Sequence, residues 1–260
     1  MLGKLLKYEM KAMGRILLPL YLAMVLAACV FAINMRLNMN GVAKFIVSKF
    51  AIITGVLFGA AVMAVGVVMV IMVIQRFYKN LLGTEGYLMF TLPAKTHELI
   101  LSKAVSTLLW MLLGAAAGAA AGFAMVSITS NWPEFVRQVQ ELWLQLSPDK
   151  SLSPIIWMII MMIVNVLESV IKVYAALAVG HQFHSHRLAG AVLAYFGFGI
   201  VELLLSFIAN KLHLFPTGFL SSTTFPGVEV AQFGTLFAVI GLVVYGLLCW
   251  YLLDRRLNLE

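Results

Sequence analysis

Six uninterrupted apolar stretches, each about as long as the hydrocarbon core of a bilayer is thick, constrain this chain more than any other feature. They run from Ile16 to Ile33, Ala51 to Ile74, Leu99 to Ile128, Ile155 to Gly180, Leu188 to Ile208 and Phe233 to Leu253. A helix of about 20 apolar residues crosses the core, so the pattern predicts six transmembrane helices, with spans at 16–33, 51–74, 99–128, 155–180, 188–208 and 233–253. The third and fourth exceed the minimum and must tilt or project. Composition closes the alternative of a soluble fold. Of 260 residues, 62% are hydrophobic and only 11% charged, against about 25% charged in water-soluble domains. Once six spans are placed, the remaining connections are too short for a soluble catalytic domain. The fold class expected is an all-α polytopic membrane protein forming a single transmembrane domain over 1–260.

The net charge of +7 would suggest nucleic acid in a soluble protein. Here its distribution between loops matters instead, and no nucleic-acid partner is expected. One side receives Lys4, Lys7, Lys11, Arg15, Arg76, Lys79, Lys95, Lys103, Arg187, Arg255 and Arg256; the other receives Arg36, Lys44, Lys49, Arg137, Lys150 and Lys211. The richer side is assigned to the cytoplasm, which places both termini there. Cys29 and Cys249 lie in apolar runs at opposite ends and define no disulfide framework. Leu26 to Cys29 has the look of a lipoprotein cleavage box, but five further spans follow it and small residues before a cysteine are common in apolar helices.

Residues 1–15 are amphipathic. At 100° per residue Lys4, Lys7, Lys11 and Arg15 share a narrow arc, with Leu2, Leu5, Leu6 and Met13 opposite. The expectation is an interfacial helix on membrane lipid, its lysines at the anionic headgroups. Glu9 falls inside the apolar arc, which implies that part of this face meets protein. Between Asn131 and Pro148, Phe135, Val139, Leu142, Trp143 and Leu146 recur at helical spacing, predicting an external helix over 131–148 anchored by Trp132 and Trp143. The 209–232 connection, apolar yet broken by Pro216, Gly218, Pro226 and Gly227, fits a re-entrant loop and an extracellular loop equally well.

The segment after the second span, 75–98, is too apolar to be only a connector. Phe77, Tyr78, Tyr87, Leu88, Met89 and Phe90 must dock, either on a separate cytoplasmic protein or on the ends of the chain's own helices. Gly83 and Gly86 make a turn, Pro93 interrupts the chain, and Thr96 followed by Glu98 can start the next helix. The run Tyr78-Lys79-Asn80-Leu81-Leu82-Gly83-Thr84-Glu85-Gly86-Tyr87-Leu88-Met89-Phe90-Thr91-Leu92-Pro93, followed by Ser102-Lys103, resembles the first cytoplasmic loop of bacterial ABC-2 type transporter permeases. The ending Leu252 to Glu260 and the opening Leu5 to Lys11 are similar to the same proteins.

The resemblance implies a membrane subunit in the bacterial cell membrane that carries no motor of its own. Two permease subunits, identical or not, would pair and engage ATPase subunits through short cytoplasmic coupling helices, and most such systems export. It implies ATPase-coupling roles for Tyr78, Asn80, Gly83, Glu85, Gly86, Tyr87, Phe90 and Pro93, and for the turn carrying His181, Phe183, His184 and Arg187. No GxxxxGK[ST] loop occurs in the sequence, so ATP and Mg are expected on the partner chain. The substrate implied is a hydrophobic or amphipathic compound. His181, His184 and His186 could offer imidazoles to a metal, but no HExxH pattern or neighbouring carboxylate or cysteine accompanies them, and no metal is expected.

Three charges lie inside spans. Glu168 and Lys172 are four residues apart, in the favourable order for an ion pair on one helix face, and either alone costs about 2.5 to 3.5 kcal/mol at the bilayer centre on insertion scales. Pairing would let them simply face the bundle; a solvated translocation path is the functional reading. Glu202 has no partner in sequence and must face another helix, a cavity or Lys172 across the bundle. All three are candidate path residues, and they also underlie an alternative, an ATP-independent channel or secondary transporter. Finally, Gly114, Gly118 and Gly122 repeat on one face of the third span as a doubled GxxxG, which predicts a helix-packing seam, within the subunit or between subunits. Gly55 and Gly59 repeat the theme more weakly.

Overall fold

The computed structural model describes residues 2–39, 44–82, 96–129, 132–146, 152–183, 186–212 and 228–255. Every regular element among them is helical: α1 (Leu2–Met39), α2 (Lys44–Phe77), a π-helical turn (Tyr78–Leu82), α3 (Thr96–Thr129), α4 (Trp132–Leu146), α5 (Ser153–Gly180), α6 (Arg187–Lys211) and α7 (Val228–Arg255). Six of these, all but α4 and the π turn, are long and apolar enough to cross a membrane. Their outward faces carry large apolar side chains: Leu193 and Met63 are 73% and 69% exposed. Such a surface is stable only where lipid replaces water.

The basic N-terminal segment and the first span form one helix. Pro19 lies inside it, as membrane helices tolerate when the freed carbonyl finds other partners. The two parts share a single buried stripe, Glu9, Met13, Leu17, Tyr21, Met24, Ala28 and Ala32, at steps of four and three with no change of phase. Nothing in the sequence between Arg15 and Ile16 breaks the backbone. At 1.5 Å per residue the 38 residues reach about 57 Å, well beyond a hydrocarbon core of about 30 Å. Lys4, Lys7, Lys11 and Arg15 are exposed, while Glu9 is buried on the stripe.

The chain folds as two compact units. The first takes in residues up to Leu5, Val73–Leu108 and the chain from Trp143 onward; the second takes in Leu6–Met72 and Leu109–Leu142. In the first unit α5 packs along both α6 and α7. Met161 meets Gly234 and Glu168 meets Gly241, a step of seven residues on each helix, so α5 and α7 run parallel. Between α5 and α6 the order reverses. Gly180 lies against Ala191 at the elbow, and Lys172 pairs with Glu202 farther in. A Cβ at Gly180 would overlap the Ala191 backbone, so only glycine permits this elbow. Phe77 stacks on Tyr174 with ring centroids 4.2 Å apart, and the Thr96 hydroxyl donates to Asp254 at 3.2 Å. The ends of α2, α5 and α7 and the starts of α3 and α6 therefore share one end of this unit, as alternating membrane crossings require.

In the second unit α1 and α3 exchange large and small residues. Trp110 lies over Gly14, and Tyr21 lies over Gly114. The Tyr21 hydroxyl donates to the Trp110 carbonyl at 2.8 Å. The two contacts advance together along both helices, so α1 and α3 are also parallel. Phe31 lies against Gly55 of α2 and stacks with Phe58. In α4, Pro133 occupies the first turn, where its missing N–H costs nothing. Trp132 and Phe135 gather with Phe123 of α3, centroids 5.5 to 6.4 Å apart.

Candidate functional site

The polar centre of the first unit is built by three helices. Lys172 of α5 is buried in a span that is otherwise mainly apolar, with Asn165, Glu168 and Ser169 as its other polar residues before it. A buried ammonium needs a carboxylate and a dense set of partners. It forms its ion pair with Glu202 of α6, not with Glu168, which stands four residues before it on the same helix. The Tyr245 hydroxyl of α7 donates to the other Glu202 oxygen at 2.6 Å. Lys172 Nζ also lies 5.4 Å and 5.9 Å from the ring centroids of Tyr195 and Tyr245, within cation–π range. Each side chain in the knot therefore rests on another helix.

This corrects the expectation of a self-neutralised Glu168–Lys172 pair. An i,i+4 pair on one helix competes with an acceptor across the bundle. Glu202 wins because a second donor, Tyr245, already orients its carboxylate, and charge-assisted bonds of this kind reinforce one another in a dry setting. Glu168 turns toward α7 instead, against Gly241, where a Cβ would come within 3.2 Å of its Cγ and Oε1. Glycine is what makes room for the carboxyl group at that level.

Glu168, Glu202 and Tyr245 open onto a cavity of about 530 Å³ between α5, α6 and α7. Its other walls are mainly apolar, including Met161, Phe198, Phe237 and Val244, with Asn165 and Ser206 as further polar groups. Asn165 spends its amide on the Met161 carbonyl at 2.8 Å, and Ser206 bonds the Leu203 carbonyl at 2.8 Å. Both use a donor in these bonds and keep their oxygens as acceptors, so the carboxylates are the charged members of an acceptor-rich polar set. Of the residues here, Glu168, Lys172 and Glu202 were candidates from sequence. Tyr245, Tyr195 and Gly241 were not. A tyrosine within an apolar span is a weak signal that a buried hydroxyl needs a partner, and Gly241 carries no signal until its neighbour is known.

The candidate coupling residues divide by position. Tyr78 and Asn80 lie in the π turn that ends α2. π turns are rare and concentrate at functional sites. The Tyr78 ring meets His181 edge-on, centroids 6.4 Å apart, so the segment after α2 and the turn after α5 come together. His181 is buried, Arg187 half-buried and Phe183 exposed. The turn closes through Phe183 N–H donating to the Gly180 carbonyl at 3.1 Å. Gly83, Glu85, Gly86, Tyr87, Phe90, Pro93 and His184 lie outside the described residues, as does most of the 209–232 connection.

The glycine seam is used only in part. Gly114 receives Tyr21, whereas a Cβ at Gly118 or Gly122 would meet nothing within 4 Å. Gly59 is equally open, while Gly55 is covered by Phe31. On α4, Glu134 and Arg137 pair at 2.7 Å on the exposed surface, and the hydrogen bond from Arg137 holds the Glu134 carboxyl below its ordinary range. No family model matches the chain, and no curated protein or solved structure matches it either.

Proposed function

We propose that the chain is the permease subunit of an ATP-driven, ABC-2 type exporter, energised by a separate ATPase. The observation that carries the reading is the meeting of Tyr78 and His181. It joins the start of the ABC-2-like run to the α5–α6 turn at one end of the first unit, alongside the Thr96–Asp254 contact. A partner pushing on that end would act on α2, α3, α5, α6 and α7 at once. The cavity beside Glu168 and Glu202 lies along the same helices, and it supplies a place for cargo whose body is apolar. In this reading ATP and Mg bind the partner chain, in keeping with the lack of a GxxxxGK[ST] loop in this sequence. In this reading the subunits work in pairs in a bacterial cell membrane, and the basic side of the chain faces the cytoplasm.

The test is purification of the tagged protein from its native host, with identification of any associated chain bearing a phosphate-binding loop and measurement of ATP hydrolysis. Association that weakens on Tyr78→Ala or Phe183→Ala supports the proposal. The second reading, a channel or secondary transporter using Glu168, Lys172 and Glu202, is favoured by the buried polar knot itself. Transport that is lost on Glu202→Gln yet indifferent to ATP would select it.

A further inference from the structure

We propose that the α5–α6–α7 cavity binds a small amphipathic organic cation, its positive centre at Glu168 and its apolar body against Met161, Phe237 and Val244. The inference deepens the exporter reading by naming a substrate class and rests on that reading for its purpose.

The charges around the space are unequal. Two carboxylates, Glu168 and Glu202, border the cavity, and a single ammonium, Lys172, serves them. That ammonium does not line the cavity. It sits behind Glu202, held by the ion pair and flanked by the Tyr195 and Tyr245 rings. Tyr245 adds its hydroxyl to Glu202 as well. Both nearby donors therefore converge on Glu202, while Glu168, beside Gly241, borders the space next to the Glu202 carboxyl group.

An anion entering would meet two carboxylates and no accessible donor of positive charge. A neutral apolar molecule would leave two neighbouring carboxyl groups sharing the one ammonium of Lys172. A cation completes the set, giving two positive centres for two negative ones in surroundings where an unbalanced charge is costly. Phe198, Phe237 and Tyr245 line the walls, and aromatic rings near a positive centre favour a cation further. The volume, about 530 Å³, is that of a site for a small organic molecule. Apolar walls with a few convergent polar groups describe an amphipathic guest with one charged end.

The probes are 4-phenylbutylammonium and 4-phenylbutyrate, closely matched in shape and opposite in charge. Binding to the full-length protein in zwitterionic lipid nanodiscs is followed by calorimetry, with empty nanodiscs subtracted. The cation is expected to bind saturably and the anion not to bind. Glu168→Gln should weaken the cation by about tenfold or more, as loss of a charged hydrogen bond implies. Gly241→Leu, which fills the space beside Glu168, should abolish the binding. Equal binding of cation and anion, unsaturable uptake matching empty nanodiscs, or wild-type affinity in both variants would overturn the proposal. The two-probe comparison on the unaltered protein decides the matter even where a variant does not fold. Failure here leaves the ATPase association unaffected, and failure of that association leaves this binding measurable, so the two readings can fall separately.

Discussion

The two units of this molecule solve the same problem, holding helices together in lipid, by opposite means. In the second unit α1 and α3 meet by shape: Gly14 takes Trp110, and Gly114 takes Tyr21. Only one hydroxyl-to-carbonyl bond crosses that seam among the described residues. In the first unit α5, α6 and α7 meet through Lys172, Glu202 and Tyr245, with a cavity beside them. Lipid tails are as apolar as leucine, so close packing suffices to associate helices. A buried charge cluster is therefore unnecessary for assembly, and its cost is accepted where a function requires it. The α1–α3 seam is held by shape and the α5–α7 knot by charge.

The sharpest way to break that contrast is to disturb each side in turn. Glu202→Leu removes the acceptor that Lys172 and Tyr245 share. Thermal unfolding in detergent should show a loss of about 3 kcal/mol, the low end for a broken buried pair because Glu202 borders the cavity. Replacing both partners, Lys172→Met with Glu202→Leu, should recover most of the loss. If the double variant is no better than the single one, the knot is not a coupled unit.

On the steric side, Gly114→Leu drives a side chain into Tyr21 and should cost about 2 kcal/mol by overpacking. Gly118→Leu and Gly122→Leu face open space and should stay within about 0.5 kcal/mol. Equal penalties at all three positions would mean that another surface covers the outer glycines. A smaller effect separates the two donors on Glu202. Tyr245→Phe keeps the ring and removes one hydrogen bond, for an expected loss of about 1 kcal/mol in the same unfolding assay. No loss would show that Lys172 alone orients the carboxylate.

The smallest effect concerns α4, outside both sets of contacts. Arg137 holds the Glu134 carboxyl below its ordinary value. The pair's contribution is therefore complete above the ordinary carboxylate range and lost as pH falls through the lowered value in the folded protein. The pair lies on the exposed surface, so screening keeps the effect slight and salt-sensitive. Tryptophan fluorescence during an acid titration should show a transition that moves upward in pH in Arg137→Gln. An unchanged midpoint would remove the pair from any role in ordering α4.

The spans were legible because an apolar run of bilayer length has few other uses, and the alternation of crossings followed from them. Glu9 was legible too: a carboxylate on the apolar arc of a basic helix has to meet protein, and it is buried on the face that continues to Ala32. The continuity of α1 was not, since a change from basic to apolar composition looks like a boundary although the backbone has no reason to stop. For the site, the three intramembrane charges stood out at once. Their pairing was legible only as one of three options for Glu202, because sequence spacing favours the local partner of Lys172, while the winning one depends on Tyr245, forty-three residues beyond Glu202. The glycine face was half legible for a related reason. Repeats of small residues mark where a helix could approach, and only the neighbour's side chains decide which of them are used.

The central claim is that this chain is the membrane half of an ATP-driven machine, pushed at the end where Tyr78 meets His181. The most direct measurement is ATP hydrolysis by the complex purified through this chain from its native host, with the wild type and Tyr78→Ala compared at equal permease content. The account predicts a co-purified ATPase whose activity per permease falls in the variant while the six-helix subunit stays folded. An active, correctly folded transporter that purifies with no ATPase, and moves its substrate without ATP, would contradict it.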